Sequence, residues 1–214
     1  MRKDKAQRRC LQWLIPAATV GLVVMMMQLF LGRMPGQLRT LSPVDGVLDI
    51  TGVDLSREVV NVQNNWDFYP GVLYTSEDFA AGEATADSGD GSNSQYGTYR
   101  LVIKALPEQY YTLCSYSIDY STRVFVNGVE AASFGTVADN ADGSVPRIGY
   151  MTIPLYSGET GEIEIIYQFS NFVHRDGGFI QPTYLSAPQN MEEFKAGNAL
   201  VSLSISGGLL VLFM

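Results

Sequence analysis

His174 is the only histidine in the 214-residue chain, and that alone limits the chemistry available. A serine hydrolase needs a base beside its nucleophile, and the sequence has no Gly-x-Ser-x-Gly turn to present one. One histidine with two cysteines, Cys10 and Cys114, does not make a zinc site. Acidic residues are plentiful, but no spacing picks out the carboxylate pair of a glycosidase. Asp87, Asp90 and Asn93 suggest calcium, yet an EF-hand loop needs oxygen ligands at positions 1, 3 and 5. Gly89 and Gly91 stand at two of these positions. Asp139-Asn140-Ala141-Asp142-Gly143 fails in the same way. The sequence therefore singles out no catalytic residue, metal site or cofactor.

What remains is binding chemistry. Carbohydrate recognition takes aromatic faces with a few planar polar side chains at a concave surface. Trp66, Arg147, Tyr150, His174, Arg175 and Gln181 are of suitable types. Each also has a structural reading. Trp66 and Tyr150 fit a core or a sheet surface, Arg147 beside Pro146 fits a solvated loop, and His174 with Arg175 fits a loop lock around Gly177-Gly178. Asn171 fits a backbone cap.

Charge narrows the partner. Between Met34 and Asn190 there are 19 acidic and 7 basic residues. Such a domain repels phosphate backbones, which sets nucleic acid aside. Neutral ligands such as sugars, or cations, stay open.

The elements that must position these residues are short strands. Val47 to Thr51, Val59 to Gln63, Tyr99 to Lys104, Tyr111 to Ser117 and Thr122 to Val126 have strand character. So do Val129 to Phe134, Gly149 to Pro154, Glu162 to Phe169 and Phe179 to Leu185. Asn127-Gly128 between two apolar runs is a strong hairpin signal, because both central residues must take positive φ. Eight or nine such strands predict an all-β domain over residues 40–190, a sandwich or jelly roll. One short helix is expected at Ser76 to Ala80, and Ala80 to Gln95 is expected to be a polar loop. Cys114, inside a strand, is expected to be a small buried apolar residue.

The two ends differ from this middle. Residues 1–10 are basic, and Leu11 to Leu31 carry no charge, spanning about 31 Å as a helix against a hydrocarbon core of ~30 Å. The basic cluster predicts a cytoplasmic start, with the chain beyond Leu31 exported. An uncleaved anchor over 11–31 is expected, a cleaved signal peptide being the rival. Residues 197–214 read as the start of a second membrane helix within a longer protein.

Asn127-Gly128-Val129-Glu130 and Ser170-Asn171-Phe172-Val173-His174-Arg175-Asp176-Gly177-Gly178-Phe179-Ile180 resemble the extracellular domain of bacterial seven-transmembrane receptors with diverse intracellular signalling modules. Asn65-Trp66-Asp67-Phe68-Tyr69, Thr75-Ser76-Glu77-Asp78-Phe79 and Tyr96-Gly97-Thr98-Tyr99-Arg100-Leu101 agree in order. The resemblance covers roughly residues 45–214, and the domain type also occurs on sensor histidine kinases. It implies a jelly-roll, galactose-binding-like sandwich outside the plasma membrane. There the domain would bind a small ligand, with carbohydrate as the leading class, and signal through the membrane. A kinase or nucleotide cyclase would come after this chain, which would itself carry no enzyme activity. A homodimer is compatible with this layout. The alternatives are a carbohydrate-binding module tethering an exported enzyme, and an envelope or adhesion domain without signalling.

Overall fold

The alternation along residues 162–170 sets the architecture. Ile163, Ile165, Tyr167 and Phe169 are all at most 1% exposed and belong to one hydrophobic core. A strand that buries one face must have a second layer to bury it against. The computed structural model describes residues 37–82, 84, 93–117, 120–173 and 182–213, together with 20, 21, 24 and 25. It shows two β-sheets supplying that core from both sides.

The strands are β1 (Gln37–Thr40), β2 (Val47–Asp49), β3 (Glu58–Asn61), β4 (Asp67–Pro70), β5 (Tyr96–Lys104) and β6 (Tyr110–Ser117). Next come β7 (Ser121–Val126), β8 (Val129–Phe134), β9 (Gly149–Tyr156), β10 (Glu162–Ser170) and β11 (Tyr184–Ser186). The helices are α1 (Ser76–Ala80) and α2 (Pro188–Phe213). One sheet runs β1-β3-β11-β6-β9 and the other β2-β5-β10-β7-β8. Strand β4 also pairs with β5, opposite Gly97 to Arg100, while β2 lies opposite Val102 to Lys104. The fold is thus an all-β sandwich.

The five-stranded sheet contributes Val60, Leu113, Met151, Ile153, Leu155 and Leu185 to the core. The other contributes Leu101, Ile103, Val124 and the β10 residues named above. Each such side chain, fully buried, is worth roughly 1.5–3 kcal/mol of transfer free energy. Between β7 and β8 the turn forms as the Asn-Gly pair requires, with φ of 48° at Asn127 and 81° at Gly128. Asn127 Oδ1 also accepts the Glu164 amide at 2.8 Å, tying this turn to β10.

The outer face of the six-stranded sheet is roofed. Ile166, Gln168 and Ser170 point away from the core cluster, yet none is more than 1% exposed. Gln168 Nε2 donates to Tyr74 O at 2.8 Å, and Thr98 Oγ1 donates to Val72 O at 2.8 Å. Ser76 Oγ donates to Glu164 Oε2 at 2.7 Å, and Arg100 Nε to Glu164 Oε1 at 2.8 Å. The Arg100 guanidinium also lies 4.8 Å over the Phe79 ring. Asp78 Oδ2 accepts both the amide and the hydroxyl of Thr75, which starts α1.

Several expectations need adjusting. Strands β1 and β4 were not expected; β4 contains Pro70, and β1 carries no run of β-branched residues. The helix expected from residue 197 already begins at Pro188, a residue suited to the first helical position. Most of the 80–95 loop lies outside the described residues. So do residues 1–19 and 26–36, which include most of the expected anchor over 11–31, and residues 174–181. Among the described residues, no helix is long and apolar enough to cross a membrane. Residues Gln37–Met191 form one compact unit. Cys114 is buried.

Candidate functional site

Strand β9 alternates without exception. Met151, Ile153 and Leu155 are each 1% exposed, while Tyr150, Thr152, Pro154 and Tyr156 face out and are exposed. Pairing with β6 puts Tyr110 opposite Tyr156, Thr112 opposite Pro154, Cys114 opposite Thr152 and Tyr116 opposite Tyr150. Residues directly opposite across a pair share a face. The tyrosines therefore meet as two cross-strand pairs. Their ring centroids are 4.8 Å apart for Tyr110 and Tyr156, and 4.4 Å for Tyr116 and Tyr150. Tyr184 of β11 stands opposite Cys114, in the row between the two pairs.

The chemistry of this face is uniform. Following the register across the sheet, one row reads Thr40, Asn61, Tyr184, Cys114, Thr152. The next reads Leu38, Val59, Ser186, Thr112, Pro154, of which Val59, Ser186 and Thr112 are buried and only Leu38 and Pro154 are exposed. Neither row contains a charged side chain, although the domain carries a net charge near −12. Tyr110 and Tyr150 are 66% and 72% exposed. Large aromatic side chains left open in neighbouring positions mark an interaction surface more often than scattered ones do.

Buried groups hold one end of this face. The hydroxyl of Tyr120 donates to the carbonyl of Tyr116 at 3.1 Å, and the Tyr120 carbonyl accepts the Arg147 amide at 3.4 Å. Burial pushes the Tyr120 hydroxyl up to about 12, with a hydrogen bond to Tyr167 opposing. Burial drives Tyr167 well above the ordinary phenol value, and the neighbouring Tyr120 adds to this. Both remain neutral hydrogen-bonding groups at physiological pH.

The sequence candidates separate in this geometry. Tyr150 lies on the open tyrosine face. Trp66 does not: it is 7% exposed, its Nε1 donates to Val62 O, and its ring meets Tyr167 edge-on at 6.4 Å. It belongs to the core, which removes it from the ligand candidates, because indole is large and finds its one partner inside. Arg147 is exposed in the loop before β9. Asn127 and Gly128 form the β7–β8 turn, and Asn171 is buried with its amide donating to Gln95 O. His174, Arg175, Gln181, Gly177 and Gly178 lie outside the described residues. Among the described residues, no three His, Cys, Asp or Glu side chains gather as metal ligands.

Tyr110, Tyr116, Tyr156 and Tyr184 escaped the sequence reading. A signal was there: Tyr110-x-Thr112-x-Cys114-x-Tyr116 and Tyr150-x-Thr152-x-Pro154-x-Tyr156 both bracket small uncharged residues at period two. That the two runs lie side by side depends on register, which the sequence does not state.

No family model matches the chain, and no curated protein matches it. Among solved structures it is similar to a GH2 beta-galacturonidase from Eisenbergiella tayi bound to galacturonate. The identity is 11% over 61% of this chain and 24% of that one, with a TM-score of 0.42. A putative beta-galactosidase from Bacteroides fragilis gives 17% identity over 60% and 23%, at 0.40. A b-glucuronidase from Ruminococcus gnavus, in complex with D-glucaro-d-lactam, gives 10% over 61% and 29%, also at 0.40. The chain spans less than a third of the length of each of these proteins. At such identities and scores, this chain's own residues have to carry the functional reading.

Proposed function

We propose that the chain is the extracytoplasmic sensing part of a membrane signalling receptor. Its jelly-roll, galactose-binding-like domain would hold a neutral carbohydrate on the outer face of the five-stranded sheet. The observation that carries the binding reading is two cross-strand tyrosine pairs on a face without charge, with Tyr110, Tyr150 and Tyr156 exposed and Tyr116 half-buried. Aromatic faces present apolar area to the C–H surface of a sugar ring, and their hydroxyls stay wet at the rim. An uncharged floor in an acidic domain disfavours polyanions and tolerates neutral ligands.

Two features support the receptor part. The basic start and the uncharged stretch over 11–31 fit an anchor that leaves residues 40–190 outside the plasma membrane. At the other end, only Ala187 separates β11, which bears Tyr184, from α2. Asn190 Nδ2 donates to Ser186 Oγ at 2.9 Å, and both groups lie within hydrogen-bond reach of Leu55 O and Glu58 O. A ligand touching Tyr184 would bear on the strand that leads directly into the helix. It shifts an equilibrium only through different affinity for two states.

The test is thermal unfolding of the full chain in detergent against a panel of neutral and acidic sugars. A ligand at a hundred times its dissociation constant stabilises the folded state by about 2.7 kcal/mol. A neutral glycan should raise the midpoint of the wild type and leave that of Tyr150→Ala unmoved. Equal shifts in both proteins would remove the tyrosine face from the proposal.

A further inference from the structure

The substrate class can be narrowed further, resting on the carbohydrate reading above. We infer that the tyrosine face takes the internal run of a linear, uncharged polysaccharide lying along β9, not a single terminal sugar. The two tyrosine pairs are six residues apart on both strands, and at ~3.4 Å per residue their backbones stand roughly 20 Å apart. One sugar ring can stack on one pair only. Both ends offer a stacking platform of two phenol rings on neighbouring strands, so a chain can be held at each. Between them Thr152 and Pro154 are exposed, short and uncharged, leaving the path from one pair to the other clear. Strand β9 lies at the edge of its sheet. No neighbouring strand among the described residues therefore walls off that path.

Charge points the same way. Glu108 and Glu159 lie in the turns beyond Tyr110 and Tyr156, and Arg147 lies in the loop before Tyr150. A polymer of acidic sugars would meet the field of a domain near −12 and two carboxylates at one end. A neutral chain meets no such penalty.

The experiment measures binding of the full chain in detergent to neutral gluco- and xylo-oligosaccharides of one to six units, with oligogalacturonides as the charged control. Affinity for at least one neutral series should climb by about tenfold or more between the disaccharide and the hexasaccharide. Tyr110→Ala/Tyr156→Ala and Tyr116→Ala/Tyr150→Ala should each bring the hexasaccharide down to short-oligomer affinity. Thr152→Glu, whose exposed side chain lies between the two pairs, should weaken the hexasaccharide and spare a disaccharide held on the Tyr110–Tyr156 pair; it serves if a tyrosine double variant fails to fold. A monosaccharide binding as tightly as its hexamer would overturn the linear-chain inference and leave the carbohydrate reading standing. Preference for the oligogalacturonides would overturn the neutral-polymer inference. Failure of every sugar to bind would remove both.

Discussion

Replacing Asn190 by alanine tests how firmly the segment just after β11, up to Met191, is fixed within the sandwich. The side chain is 5% exposed, and its single amide nitrogen lies 2.9 Å from Ser186 Oγ, 3.0 Å from Glu58 O and 3.2 Å from Leu55 O. One NH2 group has two protons, so it satisfies two of these three acceptors well at any time. Each net hydrogen bond is worth about 0.5–1.5 kcal/mol, which gives a loss of about 1–3 kcal/mol. The carbonyls are not orphaned by the change. Leu55 O keeps the Ala187 amide, and the one Ser186 hydroxyl proton is then available to Glu58 O. That places the expected loss away from the larger penalty of an unsatisfied buried acceptor. Urea unfolding followed by circular dichroism measures it: the midpoint should fall while the slope stays constant. Asn190→Asp should cost more than alanine, because it sets a carboxylate against two carbonyl oxygens. A loss below ~0.5 kcal/mol for alanine, with aspartate no worse, would refute this account of the joint.

Other sites give three more expected outcomes. Tyr120, at about 12, and Tyr167, still more deeply buried, should be among the last tyrosines to ionise in an ultraviolet pH titration. Their folded-state affinity for the proton exceeds that of the unfolded chain. Their stabilising contribution is therefore whole below about pH 10; that of Tyr120 is lost as pH rises through about 12, and that of Tyr167 is lost in the same direction. Alkaline unfolding in one step with their ionisation is expected, and free titration of all tyrosines near 10 in a folded protein would contradict it. Glu164→Gln should cost about 1–3 kcal/mol in chemical denaturation, since it weakens charge-assisted bonds to both Arg100 and Ser76. Gly135→Ala should destabilise strongly in the same assay. Gly135 has φ of +75°, and an added Cβ would clash with the Val145 carbonyl oxygen.

Much of the sandwich was legible because its signals are local. The Asn127-Gly128 turn, the apolar alternation of β10 and the short helix at Ser76 each come from a few adjacent residues. Strand β4 was not legible, because its place beside β5 is a long-range pairing that no neighbouring residue announces. The site was harder still. Tyr150 could be named as an aromatic residue of suitable type, but its partner Tyr116 lies 34 positions earlier and meets it only through the β6–β9 register. Trp66 misled for a related reason. Its ring suits sugar stacking equally well, and only the surrounding fold decides that it faces the core.

Oxidative footprinting of exposed tyrosines, with and without a bound neutral oligosaccharide, probes the ligand surface most directly. Tyr110, Tyr150 and Tyr156 should lose reactivity together, while Trp66 and Tyr167 stay unreactive in both states. A glycan that binds tightly yet leaves those three phenols as reactive as before would contradict the assignment of the ligand to this sheet.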